Sequence, residues 1–163
     1  MEALVMASGV DALASYADRP PPLNEPTRLA RLMGLEDSRE LDDVELARRV
    51  ANGLPTTVVI AFARILGRSK VIGLMIPEAT YRRLSKRGKP LSRDHSERIY
   101  EIGRILDALA RVYHGDLDKM LAFLQHPHML LGGDTPFDMA RSSSAGAETV
   151  LNLILRAEAG MPV

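Results

Sequence analysis

Residues 123–160 read FLQHPHMLLGGDTPFDMARSSSAGAETVLNLILRAEAG, and their punctuation is helical throughout. Thr135 before Pro136-Phe137-Asp138 has the form of a helix start. A Thr hydroxyl can cap the free backbone N–H groups, and proline is tolerated at the first helical position, where its missing N–H is not needed. Ahead of that cap, Gly132 and Gly133 supply residues that take positive φ cheaply, as a sharp turn into a helix requires. Behind it, Gly146 to Ala159 repeats apolar residues at helical spacing. Val150, Leu151, Ile154 and Leu155 are expected inside, and Gly146 allows another helix to approach closely.

The same periodicity runs outward toward the N-terminus. Leu117 to Gln125 reads as a helix set off by the break His114-Gly115-Asp116. Ser92 caps a long helix that reaches about His114, with Ile99, Ile102, Leu106, Leu109 and Val112 as its apolar stripe. Asp42 to Ala51 forms another, with Val44, Ala47 and Val50 on one face and acidic residues at its start. Leu54-Pro55-Thr56-Thr57 opens a helix carrying Val59, Ile60, Ala63 and Ile65 and closed by Gly67. Short helices are expected at Thr27 to Met33, Ser69 to Met75 and Pro77 to Arg87. Strand-like alternation is scarce, so the fold class is all-α. Residues 1–26 are expected to be a flexible N-terminal tail. Leu4, Val5, Val10, Leu13 and Tyr16 could line one helical face there, but Pro20-Pro21-Pro22 ends any helix.

Composition limits what such a chain can do. Apolar residues make up 46% of the 163, enough for a core, and with 4% aromatics that core is aliphatic. There is no cysteine, which excludes disulfides and thiolate metal sites. The apolar runs are too short to span a bilayer, and the N-terminus lacks the basic region of a signal peptide, so a cytoplasmic protein is expected. Net charge is zero but unevenly spread. From Arg64 to Arg104 there are eleven Lys and Arg against four Asp and Glu, a local +7 balanced by −7 elsewhere. That asymmetry suits one surface facing a polyanion; it also fits an ordinary solvated basic helix.

Val58 to Lys89 has helix-turn-helix spacing. One helix ends at Gly67, a second covers Ser69 to Met75, and Ile76-Pro77 turns into a third. The third would present Thr80, Tyr81, Arg82 and Arg83 to base edges or phosphates, with Lys86, Arg87 and Lys89 neutralising backbone charge. Glu78 either accepts from cytosine or simply favours the helix N-terminus. The alternative is that this trihelical unit is scaffold alone.

Taken together, Leu131-Gly132-Gly133-Asp134-Thr135-Pro136 and Gly146, Val150, Leu153, Ile154, Arg156 and Gly160 resemble the toxin-binding domain of the Xre/MbcA/ParS antitoxin family. Asn52-Gly53-Leu54-Pro55, Ile76 to Arg83, and Leu91-Ser92 to Arg98 look like the family's Xre-like part. The resemblance covers about Asp42 to Gly160. The chain departs from the family's pattern at Phe123, where a Trp is usual, at Ser144-Ala145, where an acidic residue is usual, and in its Met161-Pro162-Val163 ending.

The resemblance implies a helix-turn-helix Xre-like bundle (27–91) followed by a small helical toxin-binding domain (92–163). It implies a homodimer that inhibits a RES-type toxin, one that degrades NAD or transfers ADP-ribose from it. The contact residues it implies lie near the C-terminus: Arg156, Glu158, Met161, Pro162 and Val163, with Arg156 otherwise a solvated cation at a helix C-terminus; Arg141 and Ser142 to Ser144 form a small polar loop that either reaches the toxin or is an ordinary loop. It also implies operator DNA as a second partner and repression of the protein's own operon. No catalytic residue, metal or cofactor is called for. His126 and His128 straddle Pro127 without a third ligand, and no Ser-His-Asp set or phosphate-cradling loop occurs. The rival reading is a free-standing helix-turn-helix transcription regulator.

Overall fold

In the computed structural model, which describes residues 9–19, 22–35 and 39–163, the ordered secondary structure is helical. A 3-10 helix (Gly9–Ala17) is followed by α1 (Glu25–Leu32), α2 (Asp43–Asn52), α3 (Thr57–Leu66), α4 (Arg68–Val71) and α5 (Glu78–Arg87). Then come α6 (Arg93–Tyr113), α7 (Leu117–Gln125), α8 (Pro136–Ser142) and α9 (Ser144–Glu158), with a short 3-10 turn (Met129–Leu131) before α8. Among the described residues no strand forms; there is one isolated bridge between Ile72 and Ile76.

Side-chain caps set many of these boundaries. Ser92 accepts from the His95 amide at 3.1 Å and Thr135 from Asp138 at 3.1 Å, the two caps legible in the sequence. Asp42 accepts from Glu45 at 2.7 Å and Ser143 from Gly146 at 2.9 Å. The Ser143 cap starts α9 two residues before the expected Gly146. Each satisfies an amide that the helix itself leaves unpaired.

The 21-residue α6, about 30 Å long, is the axis of the molecule. Ile99, Ile105, Leu106 and Leu109 are almost completely buried along it. Helices α1, α2, α7, α8 and α9 all pack on it. The core is one continuous apolar cluster from Leu13 to Ile154, so α6 serves both halves of the chain.

Four local expectations need correction. On α9, Leu155, expected inside, is 36% exposed, whereas Leu153 is buried. On α2 the buried residues are Leu46 and Val50, whereas Val44 is 58% exposed: the apolar face is rotated from the expected one. On α3, Val58 and Phe62 join Val59 and Ile65 inside, and Ile60 lies toward solvent. The helix expected over Ser69 to Met75 is a single turn, α4. Gly73 at φ 115° leaves helical space, and its amide donates to the Ile76 carbonyl at 2.7 Å, replacing the helix by a tight turn that exposes Leu74.

The N-terminal part also differs from a flexible tail. Ala12, Leu13 and Tyr16 are buried, and the 3-10 helix packs on α1, α3 and α6. Val10 is exposed, and Leu4 and Val5 lie outside the described residues. Asn24 caps α1 by accepting from Thr27, so this helix begins before Pro26 rather than after it.

Candidate functional site

The basic residues singled out in the sequence sit on and just after α5. Arg82, Arg83, Lys86, Arg87 and Lys89 are all exposed. Tyr81 is half-buried against the core, and Thr80 is also half-buried, so their side chains are only partly available at the surface. Glu78 occupies the helix N-terminus, where a carboxylate is favoured. It pairs with Arg82 at 3.0 Å and lies 3.6 Å from Arg68. Arg83, Lys86, Arg87 and Lys89 carry no ion pair among the described residues, and Lys86 and Arg87 fall in the last turn. Cations weighted toward the C-terminal half of a helix suit contacts to phosphates better than insertion of its N-terminal residues between base edges.

The second group surrounds the end of α9. Arg156 is exposed and has no ion pair among the described residues; Met161 and Val163 are each 53% exposed, and Pro162 lies between them. The last turn is closed by backbone bonds from Ala159 to Leu155 and from Met161 to Arg156, the latter at 2.9 Å. Glu158 Oε1 lies 3.2 Å from Arg111 Nη1 on α6. Arg141 does not join this patch. It ends α8 beside the N-terminus of α9, about 18 Å of helix from Arg156. Its guanidinium donates to Asp138 at 2.9 Å, and with the Thr135 hydroxyl it holds the Asp138 carboxyl below the usual range.

The glycines of the motif have structural reasons. Gly132 and Gly133 take φ 66° and 89°, and the turn they make lets the Gly133 amide donate to His128 and the His128 amide donate to Asp134. A Cβ on Gly146 would land on the Met139 carbonyl, which is how α8 and α9 come so close. Phe123, in place of Trp, packs partly buried against the core, its ring 6.2 Å from that of His128.

Sequence reading missed two features. Met129, 93% exposed, and Leu130, 58% exposed, stand on the turn before Gly132; apolar residues in a Pro- and Gly-rich loop were the available sign. The other is Asp107. It sits fully buried on α6, one residue past Leu106 of the apolar stripe, and no local pattern marks it. Tyr16 Oη donates to its Oδ1 at 2.6 Å; Arg28 donates from Nε at 2.8 Å and Nη2 at 3.0 Å; Arg111 Nε lies 3.5 Å from Oδ2. Burial and the neighbouring carboxylate raise the Tyr16 phenol above its ordinary value, and the Asp107 hydrogen bond raises Arg28.

Among the described residues no three His, Asp or Glu side chains are grouped to hold a metal ion. The His126 ring is at hydrogen-bond distance from the Ala122 carbonyl, and the His128 ring accepts from the Leu130 amide. Among the described residues no helix is long and apolar enough to cross a membrane. A groove of about 740 Å³ between α1, α2, α6 and α9, lined in part by Leu46, Val50 and Leu151, includes, of the residues weighed from the sequence as contacts for DNA or toxin, only Ser144.

A short helix pair leading into a basic helix, joined through one long helix to a compact C-terminal helical unit, is the plan of an antitoxin of the Xre type. Residues 45–104 match the Antitoxin Xre-like helix-turn-helix domain, and residues 98–160 match the Antitoxin Xre/MbcA/ParS C-terminal toxin-binding domain. Over 114 residues the chain is 35% identical to Antitoxin Xre of Photorhabdus laumondii subsp. laumondii, spanning 67% of this chain and 75% of that protein. The chain belongs to the Xre/MbcA/ParS antitoxin family. The two matches overlap on residues 98–104, within α6.

Proposed function

We propose that this protein is the antitoxin of a type II toxin–antitoxin pair in the cytoplasm. It neutralises, by binding and without catalysis, a RES-type toxin that degrades NAD or transfers ADP-ribose from it. The observation that carries this reading is the end of α9. A unit matching a toxin-binding domain leads into an exposed Arg156, without an ion pair among the described residues, and exposed apolar residues in Met161-Pro162-Val163. A guanidinium beside apolar side chains fits a cleft shaped for a nucleotide's phosphates and ribose. Glu158 borders the same surface, and Arg141, at the other end of α9, gives a second and separate contact.

The helix-turn-helix adds a regulatory half. Arg82, Arg83, Lys86, Arg87 and Lys89, with Thr80 and the edge of Tyr81, face operator DNA, and the protein acts as a homodimer that represses its own operon. The domain limits follow this division, 27–91 for DNA and 92–163 for the toxin, with α6 packing on both.

Co-expression with the product of the neighbouring gene, followed by pull-down and an assay of NAD consumption, tests the reading. The expected result is a stable complex with NAD turnover suppressed, both lost when residues 156–163 are removed. A protein that binds DNA in a salt-dependent way but captures no toxin would instead be a free-standing helix-turn-helix regulator.

A further inference from the structure

The segment before α2 lies outside both family matches, the first of which begins at residue 45. Yet it supplies the hydrogen-bond donors for a fully buried carboxylate inside the toxin-binding match. Asp107 cannot carry charge in that position without close compensation, because taking an ion out of water costs several kcal/mol. Tyr16 from the 3-10 helix and the two-pronged Arg28 from α1 provide it.

The chain of contacts continues. Arg111, one turn along α6, has Asp107 on one side at 3.5 Å and Glu158, the last residue of α9, on the other at 3.2 Å. Its buried Nε has no hydrogen-bond partner among the described residues, so its contact with Asp107 is one of charge, and the guanidinium lies between the two carboxylates. Two more contacts fasten the N-terminal segment to the end of α6. Arg19 hydrogen-bonds the His114 ring, and the backbone of Gly115 runs so close to Leu13 that a Cβ there would strike the Leu13 carbonyl.

We propose that residues 9–19 and 22–28 form a clasp that positions the C-terminal turn of α9. Tyr16 and Arg28 neutralise Asp107; Arg111 is thereby left free to hold Glu158 and, with it, the turn that leads into Met161. When a donor to Asp107 is lost, the guanidinium of Arg111 is drawn to the under-satisfied carboxylate and releases Glu158. Arg111 and Tyr16 are positioning residues: they act on the toxin through the end of α9. The consequence for the toxin rests on the function proposed above; the coupling itself does not.

The test uses the full chain with Tyr16→Phe, Arg111→Met, Arg111→Lys and Glu158→Gln, singly and in pairs, each verified as helical by circular dichroism. Amide exchange at Ala159 and Met161 is expected to quicken roughly fivefold in Tyr16→Phe and Arg111→Met, and to return close to wild type in Arg111→Lys. Against the purified toxin from the neighbouring gene, Arg111→Met and Glu158→Gln should each weaken binding roughly fivefold. The double variant should be no weaker than the poorer single one, since both break one link. Unchanged exchange at the end of α9 in Tyr16→Phe and Arg111→Met overturns the clasp. Faster exchange with unchanged toxin affinity overturns its use in toxin capture. A wild-type protein that fails to bind the toxin sinks the proposed function alone, because the exchange arm is read without toxin.

Discussion

The Tyr16 hydroxyl donates to Asp107 Oδ1 at 2.6 Å, joining residues 91 positions apart in the chain. Both are inside, the tyrosine 1% exposed and the aspartate not at all. Replacing Asp107 by Ala leaves Arg28 and Tyr16 without their acceptor and should destabilise the fold by about 3–5 kcal/mol. Tyr16→Phe, which keeps the ring, should cost about 1–2 kcal/mol. Urea unfolding measures both, and an Asp107→Ala midpoint equal to that of wild type would contradict the buried network.

The same pair sets a pH dependence. Burial, with the Asp107 charge beside it, raises the Tyr16 phenol above its ordinary 10.0, so the folded state favours the protonated form. Folding stability from this group is therefore complete below pH 10 and declines as pH rises above it, where the unfolded chain loses the proton more readily. Wild type should lose stability between pH 10 and pH 12 more steeply than Tyr16→Phe. Parallel curves for the two proteins would remove Tyr16 as the cause.

Gly146→Ala places a methyl group on the Met139 carbonyl and should force α8 and α9 apart, at about 1–3 kcal/mol. Gly132→Ala meets nothing, but must hold φ 66° and should cost about 1 kcal/mol. Thermal melts of both variants rank the two effects, and a Gly132 variant weaker than the Gly146 one would reverse this order.

On DNA, Arg83→Ala and Lys86→Ala should weaken binding and each reduce the slope of log affinity against log salt by about one. Tyr81→Ala should act differently, lowering thermal stability because the ring packs on the core. Electrophoretic shifts at a series of salt concentrations separate a lost phosphate contact from a loosened fold. A slope unmoved by either cation change would place DNA elsewhere.

Met161→Asp and Val163→Asp alter exposed side chains and should leave folding stability within about 0.5 kcal/mol of wild type. Toxin inhibition should weaken about tenfold or more. Titration of NAD turnover against antitoxin concentration reads this directly, and full inhibition by both variants would move the inhibitory surface away from the tail.

Helix identity was legible in the sequence wherever period and caps agreed. Ser92 and the Ile99–Ile102–Leu106–Leu109 stripe defined α6, and Thr135-Pro136 defined the start of α8. Faces were harder. Val44 and Leu46 are equally apolar in α2, and only the position of α6 decides that Leu46 goes inside. Gly73 was visible as a residue, but its power to stop α4 after one turn depends on a carbonyl three residues later. The N-terminal segment was misjudged for a different reason. Its three prolines are a local signal, whereas the group that anchors Tyr16 lies on a distant helix. Of the surfaces thought to bind partners, the basic side chains and the exposed tail were readable from charge and position.

Because α1, α2, α8 and α9 all pack on the one helix α6, the two halves cannot be inherited separately. A recombination crossover just after Leu91 would give α1 and α2 a foreign α6, whose Asp107 position need not match Tyr16 and Arg28. A crossover beyond α6 would in turn set a foreign α9 against this α6, where Glu158 must still meet Arg111, so the two halves are expected to be exchanged only together.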